Sequence, residues 1–145
     1  MERRELLKKK IYEGFVPCFN DGCQRHEHCL RWQARECVNN VPWVTTCINP
    51  ANPEASGDTC IMYRDDQLVR MAYGFTKLLD ELPKKAGRSL MATVIGQHNR
   101  TYAYEYRNGS RPIPPAMQDD IADTCRRLGY TAPVVFDRYA EDYEW

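Results

Sequence analysis

LMATVIGQHNRTYAYEYRNG, residues 90–109, is the stretch on which the fold turns. Thr93, Val94 and Ile95 are β-branched, and Tyr102, Tyr104 and Tyr106 alternate with Ala103 and Glu105. In a strand, alternate side chains share a face, and branched or aromatic residues suit a pleated, half-buried surface. The stretch therefore reads as two strands, 90–96 and 101–107, joined by a polar turn over 97–100. Asn108-Gly109 signals a tight type I′ turn. A brief third strand is expected over 110–113, before Pro114 and Pro115.

Helices are expected on either side. Leu68, Met71, Ala72, Phe75, Leu78, Leu79 and Leu82 form one apolar stripe, predicting a helix over 65–82. Asp65 or Asp66 would cap it and Pro83 stop it. Gly74 costs about 1 kcal/mol against alanine there, and offers a close approach to the sheet. Residues 84–88 read as a basic turn. Pro114-Pro115 suits a second helix start, with Ile121, Ala122, Cys125 and Leu128 facing inward and Gly129 as its C-cap. Residues 134–136 read as a short extended segment, and Phe136, Tyr139, Ala140 and Tyr143 follow helical spacing to the end.

The N-terminal third looks less regular. MERRELLKKK, with Leu6 and Leu7 on one side and charge elsewhere, is a candidate start of a short helix; a solvated or frayed terminus is the preferred reading, and a basic arm touching phosphate the sharper one. A helix is predicted over 27–37, where Leu30, Ala34 and Cys37 recur at helical spacing. Residues 39–60 carry Asn-Asn, three prolines and Ser-Gly-Asp, and read as a long loop with a short extended piece over 43–48. Such a loop needs something to hold it. The expected fold is α+β: a small antiparallel sheet packed with two or three helices, and an N-terminal cysteine-rich, metal-knuckle-like module. The expected organisation is one domain over 1–145, with the loop module at 16–62 and the core at 63–145.

Twenty basic residues balance twenty acidic ones, so no global field draws the chain to nucleic acid or an anionic membrane. No apolar run reaches signal-peptide length or the ~18 residues of a membrane span. The expectation is a soluble, cytoplasmic protein with no membrane partner, whose thiols stay reduced. Seven cysteines is an odd number, so a fully paired disulfide framework would leave one over.

CFNDGCQRHEHC, residues 18–29, concentrates the chemistry. Cys18 and Cys23 enclose Asn20-Asp21-Gly22, which can fold back sharply, and Cys29 falls where the predicted helix begins. A helix start favours a negative group and lowers a thiol's pKa. Zinc takes four such thiolates tetrahedrally at about 2.3 Å. Cys37 lies eight positions beyond Cys29, a helical rise of about 12 Å. Ligand sulfurs must stand within roughly 4 Å of each other, so Cys37 reads as a small buried hydrophobe. Cys125, on an apolar stripe, reads the same way. Cys60, ending the long loop, is the preferred fourth ligand, then Cys47, then His26 or His28. The Cys-x4-Cys-x5-Cys spacing departs from the usual C-x2-C. Zinc leads; an iron–sulfur cluster on the same thiolates, unligated thiols, and disulfide or thiol catalysis remain open alternatives.

The chain also resembles an uncharacterised family of Bacteroidales proteins, a domain of unknown function, over nearly its whole length. The likeness rests on Cys18-Phe19-Asn20, Cys23, Cys29-Leu30-Arg31, Asn49-Pro50 and Cys60, then Gly74-Phe75, Tyr106-Arg107-Asn108-Gly109, Ile113-Pro114 with Gln118 and Ile121, and Phe136-Asp137 with Tyr139. Proline often follows the second cysteine in that pattern; here Gln24 does. The resemblance implies grouping Cys18, Cys23, Cys29 and Cys60, and implies no activity.

No phosphate loop, HExxH or GxSxG motif occurs, and His98 stands in a predicted turn without a visible nucleophile beside it. No catalytic residue is assigned. Tyr102, Tyr104 and Tyr106 on one strand face, with Arg107 and Arg111 nearby, are the candidate binding surface, since aromatics flanked by arginine can stack on single-stranded bases. Burial of that face under a helix is the competing reading. Arg25, Arg31 and Arg35 would form a second basic patch or pair with acids such as Glu141, Asp142 and Glu144. The aromatic end, FDRYAEDYEW, either docks on a partner or closes the protein's own core. The expected function is a non-enzymatic module whose zinc site orders a surface for a protein or nucleic-acid partner; the alternative is an iron–sulfur or thiol-dependent oxidoreductase.

Overall fold

The computed structural model describes residues 2–38 and 44–145. They fall into two compact units: one runs to Gln67 and includes Tyr143–Trp145, the other is Leu68–Asp142. The described residues contain six α-helices and one two-stranded antiparallel sheet, so the fold is α+β, as expected. The strands and most helices are not those expected.

In the first unit, α1 (Arg3–Tyr12) is the short helix weighed for the N-terminus, in place of the preferred frayed reading. Glu5 in its first turn and Lys9 and Lys10 in its last complement the helix dipole. Its Leu7 is buried with Leu30, Ala34 and Tyr143. Arg3 fixes the helix, donating to Asp66 at 3.2 Å and to the Tyr143 hydroxyl at 3.0 Å. The helix expected over 27–37 is interrupted: a 3-10 turn at His26–His28, an extended Cys29, α2 (Leu30–Ala34), and a second 3-10 turn at Arg35–Cys37. Cys29 is extended because it bridges to Asp65, flanked by Leu30 N–H to Arg64 O at 2.8 Å and Asp66 N–H to His28 O at 3.1 Å. Of the extended piece expected over 43–48, residue 43 lies outside the described residues, and 44–48 form no strand.

In the second unit, β1 (Val69–Tyr73) pairs with β2 (Arg138–Asp142), Val69 opposite Asp142 and Tyr73 opposite Arg138. The helix expected over 65–82 thus splits into β1 and α3 (Thr76–Glu81), and the helical spacing read over 136–143 belongs to a strand. The break is Gly74, at φ +76, where a Cβ would stand 2.5 Å from Asp137 Oδ2. Its close approach is to that carboxylate.

The two strands expected over 90–107 are helices α4 (Lys84–Gln97) and α5 (Arg100–Asn108). The expected basic turn is the first turn of α4. Leu90 and Val94, four apart, face the core, which is a helical spacing. Asn99 accepts from Tyr102 N–H at 2.8 Å and caps α5. Gly109, at φ +80, ends α5 as a left-handed cap; a hairpin turn would want the same positive φ, so Asn-Gly could not separate the two. The third strand shrinks to Ile113, which exchanges backbone hydrogen bonds with Ala72 at 2.8 and 3.0 Å. α6 (Pro115–Arg127) forms as predicted, with Gly129 past its end at φ +92. The core gathers Ala72, Phe75, Leu78, Leu90, Val94, Ala103, Ile113, Ile121, Cys125 and Phe136. The C-terminal aromatics close cores of their own chain: Phe136 in this unit and Tyr143 in the other. No helix among the described residues is long and apolar enough to cross a membrane.

Candidate metal centre

Three segments bring four thiols to one cavity in the first unit. The 18–23 loop turns back because Asn20 Oδ1 accepts from Gly22 N–H at 3.1 Å and Asn20 O from Cys23 N–H at 3.3 Å. The 3-10 turn then carries the chain to Cys29, whose N–H donates to His26 O at 3.0 Å. Cys60 sits between turns, its N–H on Gly57 O at 3.3 Å and its carbonyl accepting from Tyr63 N–H at 3.2 Å. Cys18, Cys23, Cys29 and Cys60 all line a cavity of about 20 Å³, room for about one water-sized particle. Apolar Trp32, Ile48, Ala55 and Met62 wall much of the remainder.

Burial pushes the Cys18 thiol up in pKa; Cys29, Cys60 and Cys23 push the same way, while a backbone hydrogen bond with Asn20 opposes them. Each of the three is thus close enough to act on Cys18. All seven cysteines are free thiols. As placed, no three His, Cys, Asp or Glu side chains among the described residues form a group that could hold a metal ion. The four thiols share a wall without meeting at a point.

His26 also lines the cavity. Its Nδ1 lies 2.5 Å from Cys23 O, and a carbonyl only accepts, so Nδ1 is the donor in this contact. His28 turns away, its Nδ1 3.5 Å from Asp66. Cys47 is exposed and outside the lining, though its neighbour Ile48 is in it. Cys37 packs beside the Leu7–Tyr143 core, and Cys125 is buried in the second unit.

The long loop is held by backbone contacts around the cavity. Ile48 N–H donates to Pro17 O at 2.9 Å, and Arg25 donates to Asp58 O at 2.8 Å while lying 3.5 Å from the Tyr63 ring centroid. Arg35 pairs with Asp21, which also accepts from Trp32 Nε1 at 3.0 Å. Arg25, Arg31 and Arg35 therefore form no open basic patch.

Arg31 is the residue that sequence reasoning undervalued. It is only 9% exposed and lines the cavity. Its Nε donates to Met62 O and its Nη1 to Val16 O, both at 2.8 Å, and its own carbonyl accepts from Cys18 N–H at 2.8 Å. The available signal was its setting: it follows Cys29 by two positions, and the nearest acids are Glu27 and Glu36.

The strand face of three tyrosines does not exist, because Tyr102, Tyr104 and Tyr106 lie on α5. Tyr102 and Tyr106, four apart, share a helix side, where Arg111 packs 3.8 Å from the Tyr102 ring centroid and pairs with Glu105 at 2.7 Å. Tyr104 and Arg107 instead border a groove of about 690 Å³ with Lys84 and Arg88.

No curated protein matches the chain, and no solved structure does. A family description does match, across residues 1–145. The chain belongs to the family of unknown function DUF6078.

Proposed function

We propose that this is a non-enzymatic protein whose N-terminal unit is held together by a structural zinc on Cys18, Cys23, Cys29 and Cys60. The observation that carries the reading is that four thiols, from three segments, line one cavity of about 20 Å³. That space suits a single ion, and the reading requires the four thiols to converge from the wall they share. A four-iron cluster needs the same thiolates but a core of several atoms, which would force the loops apart. Zinc bound by four thiolates has no open position for substrate, so it supplies folding energy and no turnover. Structural zinc contributes an apparent ~10–16 kcal/mol at neutral pH. A unit whose regular structure is α1, α2 and three 3-10 turns gains much from it.

A groove on the second unit supports a partner surface there in this reading. Lys84, Arg88, Arg107 and Tyr104 border one groove together with a single carboxylate, Asp80, and none of the three cations forms an ion pair with a carboxylate among the described residues. A phosphate-bearing or acidic partner is the complement. Retention on single-stranded RNA that does not fall with salt would remove the phosphate reading.

The metal is tested by elemental analysis of freshly purified protein. The expected result is one zinc per chain, lost in Cys23→Ser and Cys60→Ser and kept in Cys47→Ser and Cys125→Ser. Metal-free wild type, or full zinc in Cys23→Ser and Cys60→Ser, overturns the reading. Iron with a visible chromophore points to the oxidoreductase alternative instead.

A further inference from the structure

A buried cation normally needs an anion. Arg31 is 9% exposed, yet no carboxylate among the described residues lies within ion-pair reach of it. Its hydrogen-bond acceptors, Met62 O and Val16 O, are neutral. Its guanidinium stands 4.4 Å from the Phe15 ring centroid, which leaves it with an aromatic face and no formal negative charge. Arg31 lines the same cavity as Cys18, Cys23, Cys29 and Cys60, whose thiols become anionic when they bind a metal.

Its bonds also join the right segments. Met62 is two residues after Cys60, Val16 is two before Cys18, and Arg31 itself is two after Cys29. Arg31 thus ties the three ligand-bearing segments together through main-chain atoms before any ion is considered. A zinc ion with four thiolates is doubly negative, and a guanidinium beside it offsets half of that charge.

We propose that Arg31 is the counter-ion and staple of the thiolate site, holding the Cys18 and Cys60 segments against Cys29 and neutralising part of the charge of the metal-bound thiolates. The inference rests on the zinc reading above. Arg31 acts through the ligands, so it is a positioning residue. A fixed guanidinium suits the two carbonyls because its donors form a rigid fork; a lysine ammonium carries the charge without the fork.

The test uses the full chain with Co(II) and Zn(II) as probes. Wild type is expected to bind one Co(II) with thiolate charge-transfer absorption, and to hold zinc against a competing chelator. Groups around first ligands are typically worth about 10–100-fold in metal affinity. Arg31→Met is expected to weaken zinc by about that factor, and Arg31→Lys by clearly less, because it restores the charge alone. Wild type without metal ends both this inference and the zinc reading. Wild type that binds, with Arg31→Met and Arg31→Lys both within about twofold of it, ends this inference and spares the zinc. Arg31→Lys as weak as Arg31→Met removes the counter-ion role. Should Arg31→Met fail to fold, Arg31→Lys decides alone: full loss or an unchanged affinity overturns the proposal, and a partial loss with the cobalt spectrum retained supports it.

Discussion

Asp137 and Gly74 hold each other across the second unit: Asp137 N–H donates to Gly74 O at 2.9 Å, while the Asp137 carboxylate caps the helix that starts just beyond Gly74. It accepts from Thr76 N–H at 2.9 Å, Thr76 Oγ1 at 2.7 Å and Lys77 N–H at 2.9 Å. The N-cap residue of α3 is Phe75, which has no side-chain oxygen. A residue 61 positions away in sequence does the capping. The arrangement needs a backbone with no Cβ at 74.

Gly74→Ala is therefore expected to be costly. Its φ of +76 is left-handed, which costs an alanine roughly 1–2 kcal/mol. The new Cβ would meet Asp137 Oδ2 at 2.5 Å and push the cap away, for a loss of about 0.5–2 kcal/mol more. Urea denaturation should show a total loss of about 1.5–4 kcal/mol with an unchanged slope. A change under about 0.5 kcal/mol, within the range of an ordinary surface substitution, would contradict this geometry.

The same cap predicts a pH dependence. Burial pushes the Asp137 carboxyl upward, but hydrogen bonds from Lys77 and Thr76 outweigh it and leave the pKa below the usual aspartate value. A group depressed in the folded state stabilises above its unfolded pKa, about 3.9, and loses that contribution as pH falls through the folded value. Asp137→Asn keeps an acceptor oxygen but cannot titrate there. Thermal melts of wild type and Asp137→Asn should differ most at pH 6–7 and converge as pH drops below about 4. Parallel curves down to pH 2 would show that the carboxylate's charge contributes nothing.

These contacts also explain what the sequence made legible. α6 was readable because its signals are local and agree: two prolines at the start, an apolar stripe through Ile121 and Cys125, and Gly129 beyond the end. Residues 90–107 misled because their signals fit two periods at once. Thr93-Val94-Ile95 suits a strand, yet Leu90 and Val94 form a helical pair; alternating tyrosines suit a strand, yet Ala103 is the residue that goes 0% exposed. Burial of an alanine leaves almost no trace in a hydrophobicity pattern. β1 hid inside a longer helical-looking stripe, and its partner β2 begins 65 positions after β1 ends, beyond any local rule. At the candidate centre, Cys18, Cys23 and Cys29 could be grouped from spacing, and Cys60 from its place at the end of a long loop. Arg31 could not, because its partners are backbone carbonyls at Val16 and Met62.

Thiol reactivity separates the cysteines. Cys47 is exposed and Cys125 is 0% exposed. With zinc present, iodoacetamide followed by peptide mass spectrometry should label Cys47 first and leave Cys18, Cys23, Cys29 and Cys60 protected. A chelator should expose those four together while Cys125 stays unlabelled, since it lies in the core of the other unit. Labelling of the four at unrelated rates, or no change on chelation, would count against a shared ion.

A pair of substitutions discriminates the helical from the strand reading of residues 99–107. Asn99 caps α5 through Tyr102 N–H, so Asn99→Ala should cost about 1 kcal/mol. In a hairpin turn the same change would have no amide to abandon. Ala103 is fully buried among Leu90, Val94 and the rest of that core, so Ala103→Leu must displace neighbours and should cost about 1–3 kcal/mol. Tyr102, by contrast, is 42% exposed and rests against Arg111. Tyr102→Ala should therefore cost less than Ala103→Leu, although it removes far more atoms. The reverse order of stabilities in urea would mean that the tyrosines face the core and that α5 is wrongly placed.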